Sequence, residues 1–206
     1  MLNSFEKDGG RGQQINGYSG GSWDTLSLMW TRHHRQYRPH QDPISGVHQR
    51  PHPGHEQLQC PAYSFLVEHP SGKKDLFDLD VRKDFDRSAP ALLNAWKGRI
   101  TLDVEDDIAG IVKKDGRVGL EEINSISWSG DPSTFPSTTE LVVGPGFKDA
   151  LLPGYPTNPE SRILEANYQG RELREVSFDE GLRLGRFRVL DYFGDGSFYL
   201  LDSPGA

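Results

Sequence analysis

Residues 60–79 read CPAYSFLVEHPSGKKDLFDL. Apolar and aromatic side chains fill residues 63–67, Pro, Ser, Gly and two Lys fill residues 70–74, and an apolar run returns at residues 76–79. That order predicts two strands joined by a tight polar turn. Downstream, residues 88–97 (SAPALLNAWK) predict a helix, with Ser88 as a cap two residues before Pro90. Residues 103–114 predict a second helix: Asp103 or Glu105 suits an acidic first turn, Ile108, Ile111 and Val112 fall at i, i+3 and i+4, and Gly116 stops it. In residues 122–128 (EINSISW), Ile123, Ser125 and Ser127 alternate with Asn124, Ile126 and Trp128 along a short buried strand. Residues 141–143 predict another strand, closed by Gly144, Pro145 and Gly146. The last third reads as antiparallel, with strands at residues 174–178, 187–192 and 197–201 and turns at 179–185 and 194–196. Mixed strands and helices with short connections predict an α/β or α+β layered domain.

Upstream of this stretch the texture changes. Six of the seven His lie between His33 and His55, among Gly, Gln, Ser, Arg and Pro. Apart from an island at Trp23, Leu26, Leu28, Met29 and Trp30 that could dock locally, residues 1–58 lack sustained periodicity. They predict a low-complexity, disordered arm, because so little apolar surface cannot offset the entropy of ordering. The domain then occupies residues 59–206. With 206 residues, 34% hydrophobic and 26% charged, the chain offers no apolar run long enough to span a membrane. A formal net charge of -7 argues against nucleic acid as a partner. A single Cys argues against a disulfide framework and a Cys-rich zinc module. The start MLNSFEKDGG carries no apolar signal segment, and the expected location is the reducing cytoplasm.

Five strings, at residues 60–79, 81–84 (VRKD), 123–136 (INSISWSGDPSTFP), 140–161 (ELVVGPGFKDALLPGYPTNPES) and 187–205 (FRVLDYFGDGSFYLLDSPG), resemble the metallo-β-lactamase superfamily. The likeness is to its fungal lactonase- and lactamase-like members, and it covers roughly residues 59–206. The resemblance implies an αββα sandwich, here a partial one, and hydrolysis of a lactone, ester or lactam by hydroxide on two zinc ions. The superfamily's His-x-His-x-Asp-His loop follows the strand that here reads INSISW. Imidazoles and a carboxylate at that spacing hold zinc and bring the pKa of bound water to about 7. Here Trp128 and Ser129 run straight into Gly130 and Asp131, so the flanks of the loop stand without the loop. Where the resemblance calls for Ser-Pro-Gly-His, Ser203, Pro204 and Gly205 are followed by Ala206. Asp80 stands where relatives carry Gly.

The vestigial flank of the implied site is thus Asp78, Trp128, Ser129, Gly130, Asp131, Ser203 and Gly205, with no catalytic and no metal-ligating residue assigned. The resemblance gives Asp78 a supporting role beneath the metal loop, which here reduces to structure. Ser129 lacks a His base, which a Ser nucleophile needs. The His pairs of the arm, His33 with His34 and His52 with His55, read as a solvated segment rather than a metal site, having no scaffold and no carboxylate to orient the imidazoles. Cys60 reads as a plain thiol. Asp195 reads as a hairpin turn, and Phe193, Phe198 and Tyr199 as sheet core. The expected function is a degenerate relative of zinc-dependent lactone and lactam hydrolases, of the kind that opens benzoxazolinone-like plant compounds or serves secondary metabolism. Metal and catalysis are expected to be lost, leaving no cofactor. The alternatives are a non-enzymatic module that binds a small cyclic ester or amide or a partner, and a mis-spliced reading of an active enzyme. Self-association through an exposed sheet is also expected.

Overall fold

The computed structural model describes residues 26–37, 58–179 and 181–203, with side chains described from Tyr63 onward. The predicted hairpin forms: β2 (Leu58–Glu68) pairs antiparallel with β3 (Lys74–Phe77), setting Leu66 opposite Leu76 and Val67 opposite Asp75. β3 then receives β5 (Ser125–Ser127), β6 (Glu140–Val143) and β7 (Leu173–Glu175), all in parallel. On the other side, β1 (Leu26–Tyr37) pairs with β2, and β4 (Ile100–Thr101) pairs with β1. The sheet order is β4-β1-β2-β3-β5-β6-β7. A second, antiparallel sheet of order β10-β9-β8 is built from β8 (Arg183–Leu184), β9 (Phe187–Asp191) and β10 (Tyr199–Leu201).

Pleating sends alternate side chains to opposite faces, and both faces of the central strands are buried. On one face Leu66, Leu76, Ile126 and Leu141 pack with Ile108, Ala109 and Val112 of α2 (Ile108–Asp115). Leu76, Ile126 and Leu141 are wholly buried, which stabilises the fold by roughly 1.5–3 kcal/mol each. On the other face Val142, Val176 and Phe178 meet Leu190, Tyr192 and Leu200 of the second sheet. Helix, sheet and sheet therefore stack as the mixed α/β layers that the sequence predicts.

The helices form close to their predicted places with different caps. α1 (Pro90–Trp96) starts at Ala89 with no side-chain cap; Ser88 lies one residue too early, and Pro90 supplies the fixed φ of a first helical residue. α2 starts at Ile108 rather than 103, so Asp103 and Glu105 precede the helix instead of forming its first turn; its cap is Asp107, whose carboxylate accepts the Gly110 N–H at 2.7 Å. Gly116 ends the helix as predicted, at φ 70. Two short helices, α3 (Phe147–Leu151) and α4 (Glu165–Tyr168), lie between β6 and β7.

Three sequence expectations need correction. Leu26–Tyr37, inside the predicted arm, is a strand of the main sheet, because the free edge of β2 supplies backbone partners whatever the side-chain pattern. The rest of that arm, including His40 to His55, lies outside the described residues, and so does the Cys60 side chain. β7 is parallel to β6 rather than antiparallel, the long connection through α3 and α4 serving as a crossover. Phe193, Phe198 and Tyr199 are half-buried around the rim rather than core. Among the described residues no helix is long and apolar enough to cross a membrane.

Candidate functional site

β3, β5, β6 and β7 run the same way, so their carboxyl ends share one edge, the usual place for a site in an open parallel sheet. Five of the sequence-predicted flank residues meet there. As the chain leaves β3, Asp78 (φ 66) and Asp80 (φ 53) both take the left-handed conformation that suits glycine. The Asp78 N–H stays on the sheet, donating to the Ser127 carbonyl at 3.2 Å. Its Oδ1 accepts a short hydrogen bond from the Ser129 hydroxyl and another from the Asp80 N–H at 2.6 Å. Ser129 Oγ in turn accepts the Leu79 N–H at 3.2 Å.

Gly130 (φ 66) packs directly on this turn: a Cβ there would lie 2.2 Å from the Asp80 carbonyl oxygen and 3.0 Å from Leu79 Cβ. The Trp128 indole N–H donates to the Gly130 carbonyl at 3.1 Å, and its ring stands 5.2 Å from that of Phe147. Asp131 accepts from the Ser133 N–H at 3.0 Å and from Asn167 Nδ2 at 3.1 Å, and pairs with Arg82 at 3.0 Å. Arg171 clamps the same segment through the carbonyls of Pro132, Phe135 and Pro136 at 3.0, 2.6 and 2.5 Å. Ser203 is exposed two residues past β10, and Gly205 lies outside the described residues.

Sequence reading marked Asp80 only as a departure from its relatives, and it missed Arg82, Asn167 and Arg171 at this edge. Arg82 and its neighbours were in view as the string VRKD, but nothing in spacing says that Asn167 of α4 reaches Asp131. The described side chains at this edge do not make up the donor set of a binuclear zinc centre. Asp78 is committed to Ser129 and Asp80, and among the described residues no group of three or more His, Cys, Asp or Glu could hold a metal ion. His69 sits at the other end of β3, bonded to Ser71 and Asp195. Asp78 could accept the Ser129 proton, yet no imidazole among the described side chains completes a relay there.

A second polar cluster lies between the two sheets. Asp75 is fully buried, with Tyr192 Oη 3.1 Å and Ser127 Oγ 3.2 Å away. The Tyr192 hydroxyl also lies 3.0 Å from Ser125 Oγ and accepts from Arg174 Nη2 at 3.2 Å, and Arg174 Nε pairs with Glu140 at 2.7 Å. Burial pushes the Asp75 carboxyl up to about 6 against the hydrogen bonds that favour its anion. Burial and the Asp75 charge raise the Tyr192 phenol as well. This cluster ties β3, β5, β6 and β7 to the end of β9. An open groove of about 840 Å³ between α1 and β4, lined by Phe85, Leu93, Trp96 and Ile100, shares no residue with the carboxyl-edge cluster.

No family model matches the chain. It is 43% identical over 167 residues to a gamma-lactamase of Fusarium pseudograminearum, covering 74% of this chain and 40% of that protein. It is 41% identical over 167 residues to a metallo-hydrolase of Annulohypoxylon moriforme, covering 76% of this chain and 44% of that one. A gamma-lactamase of Gibberella moniliformis is 43% identical over 140 residues, covering 63% of this chain and 58% of its own length. The chain thus spans between 40% and 58% of the length of these relatives. Among solved structures, an N-acyl homoserine lactone hydrolase with its product at the catalytic metal centre aligns with a TM-score of 0.47 and 16% identity, over 80% of this chain and 64% of that chain.

Proposed function

Because this chain belongs to the metallo-β-lactamase superfamily, we propose that it is a degenerate member of the lactone- and lactam-opening hydrolases. On this reading it keeps the frame of the site and has lost metal binding and catalysis. The supporting observation is the contact of Gly130 with the Asp80 carbonyl, where even a Cβ would meet oxygen at 2.2 Å. The segment from Ser129 to Asp131 passes tightly across the end of β3 and carries no imidazole. Asp78, the carboxylate in the supporting position, satisfies Ser129 and Asp80 instead of a ligand loop.

The test is metal analysis of the purified full chain after loading with zinc and dialysis, alongside hydrolysis of a γ-lactam and of 2-benzoxazolinone. The expected result is no retained zinc attributable to residues 63–203 and no hydrolysis above the zinc-free control. Two zinc ions per chain with metal-dependent ring opening would overturn the reading.

The tilted pair of Trp128 and Phe147 at the carboxyl edge supports a second reading, a module that binds a small cyclic ester or amide without turning it over. Quenching of tryptophan fluorescence by 2-benzoxazolinone, lost in Phe147→Ala, distinguishes it from a relic with no ligand. Cytoplasmic residence rests on the lone Cys and is tested by cell fractionation.

A further inference from the structure

A separate cluster of reactive groups closes at the opposite end of β3. In the turn between β2 and β3, His69 Nδ1 lies 2.7 Å from Ser71 Oγ. His69 Nε2 lies 2.7 Å from Asp195 Oδ2, in the turn between β9 and β10. The Ser71 backbone N–H points at the same Nδ1, at 3.2 Å. A backbone N–H can only donate, so Nδ1 carries the lone pair and Nε2 carries the proton. The Ser71 hydroxyl therefore donates into Nδ1 while the far N–H donates to Asp195. The imidazole is held in place: it stacks on Phe193 at 4.3 Å, and its side chain is 13% exposed. Hydrogen bonds from Ser197 and from His69 pull the Asp195 carboxyl down to about 2, so it is ionised at neutral pH. Ser71 itself is exposed.

We propose that Ser71 is an acylatable nucleophile, with His69 as its general base and Asp195 as the residue that orients the imidazole, acting on small esters that carry a good leaving group. A neutral imidazole that accepts the serine proton, with its far N–H on a carboxylate, is the arrangement that activates a hydroxyl. Here the two ring nitrogens exchange places relative to the common serine hydrolase order. In the first step Ser71 Oγ bonds to the acyl carbon as its proton passes to His69 Nδ1. The tetrahedral adduct then breaks its bond to the leaving oxygen, and the departing phenolate takes the proton from Nδ1 or from water. In the second step water attacks the acyl-serine, gives a proton to Nδ1, and the carboxylic acid leaves as Ser71 Oγ regains that proton.

The substrate class follows from the turn. The Ser71 N–H is on Nδ1, and the Gly72 N–H is on the His69 carbonyl at 2.8 Å, so neither faces an oxyanion. Without those two donors the turn gives the tetrahedral oxygen less stabilisation, and more of it must come from the leaving group. This chemistry uses neither the carboxyl-edge residues nor a metal.

The experiment treats the full chain with 4-nitrophenyl acetate near neutral pH and maps acetylated peptides by mass spectrometry. Acetylation of Ser71 is expected to run at least about tenfold faster than that of the exposed Ser133, well within what a positioned base supplies. His69→Gln is expected to remove that advantage and Asp195→Asn to reduce it severalfold, each with an unchanged circular dichroism spectrum. Equal labelling of Ser71 and Ser133 in the unsubstituted chain overturns the proposal, a result that does not depend on any variant folding. Undiminished labelling of Ser71 in folded His69→Gln overturns it too.

Discussion

At Asp80 the backbone stands at φ 53, where an L side chain crowds its own carbonyl and glycine does not. The same residue is buried, so its carboxylate is not simply solvated. Two substitutions separate these effects. Asp80→Gly and Asp80→Ala both remove the carboxylate, but only glycine relieves the backbone. Asp80→Gly is expected to be more stable than Asp80→Ala by roughly 1–2 kcal/mol in urea unfolding; equal midpoints would show that the turn relaxes away from this conformation. Ser64 presents the opposite case. Its hydroxyl is fully buried on the α2 side of the sheet, with no hydrogen-bond partner among the described residues. Desolvation without compensation costs about 1–3 kcal/mol. Ser64→Ala is therefore expected to raise the urea midpoint, and a lower midpoint would mean that the methyl leaves a costlier void than the hydroxyl's missing bond.

Between elements, the polar cluster around Asp75 makes the contact of the two sheets sensitive to protons. Its surroundings contain Tyr192 just past β9, Ser125 and Ser127 from β5, and the Arg174–Glu140 pair from β7 and β6. The folded pKa of about 6 stands above the ordinary 3.8. A raised carboxyl pKa means that the folded state binds the proton more tightly than the unfolded chain. The stabilisation is fully present below about pH 4 and is lost as pH rises through 6. A shift of this size corresponds to about 3 kcal/mol. Asp75→Asn, which keeps the shape and removes the titration, is expected to flatten the unfolding free energy between pH 4 and 7. Chemical unfolding across that range reads the result. An unchanged slope in a folded variant would place the proton uptake elsewhere.

At the scale of the molecule, the described residues leave apolar surface exposed in two places. Tyr63 and Phe77, at one end of the face that the second sheet covers, are 41% and 39% exposed. Leu182, Leu184 and Leu201 are exposed on the second sheet, where β8 and β10 each form an edge among the described strands. Open edges beside apolar side chains favour pairing with another chain. Sedimentation equilibrium is expected to show concentration-dependent association of the full chain, and Leu184→Lys with Leu201→Glu to shift it toward monomer. A monomer at all concentrations, without binding of a hydrophobic dye, would remove self-association from the account.

What the sequence determined by itself is local. The hairpin of β2 and β3, the strand INSISW, the stop at Gly116 and the β9–β10 turn each depend on residues a few positions apart, whose spacing and turn chemistry read directly. The missing imidazoles between Ser129 and Asp131 were equally plain, since a ligand loop is a matter of residue identity. The tertiary structure alone decided the contacts that join distant segments. Asp75 meets Tyr192 across 117 positions, and His69 meets Asp195 across 126. Neither Asp75 nor His69 differs in its local string from an exposed polar residue. Burial and partnership come from which faces the sheets bring together. Leu26–Tyr37 entered the sheet for a related reason, because backbone N–H and C=O groups pair at an edge with little regard to side-chain pattern. The left-handed turn at Asp80 was only hinted at by the Gly that relatives carry there; its place beneath Gly130 came from the path of the chain.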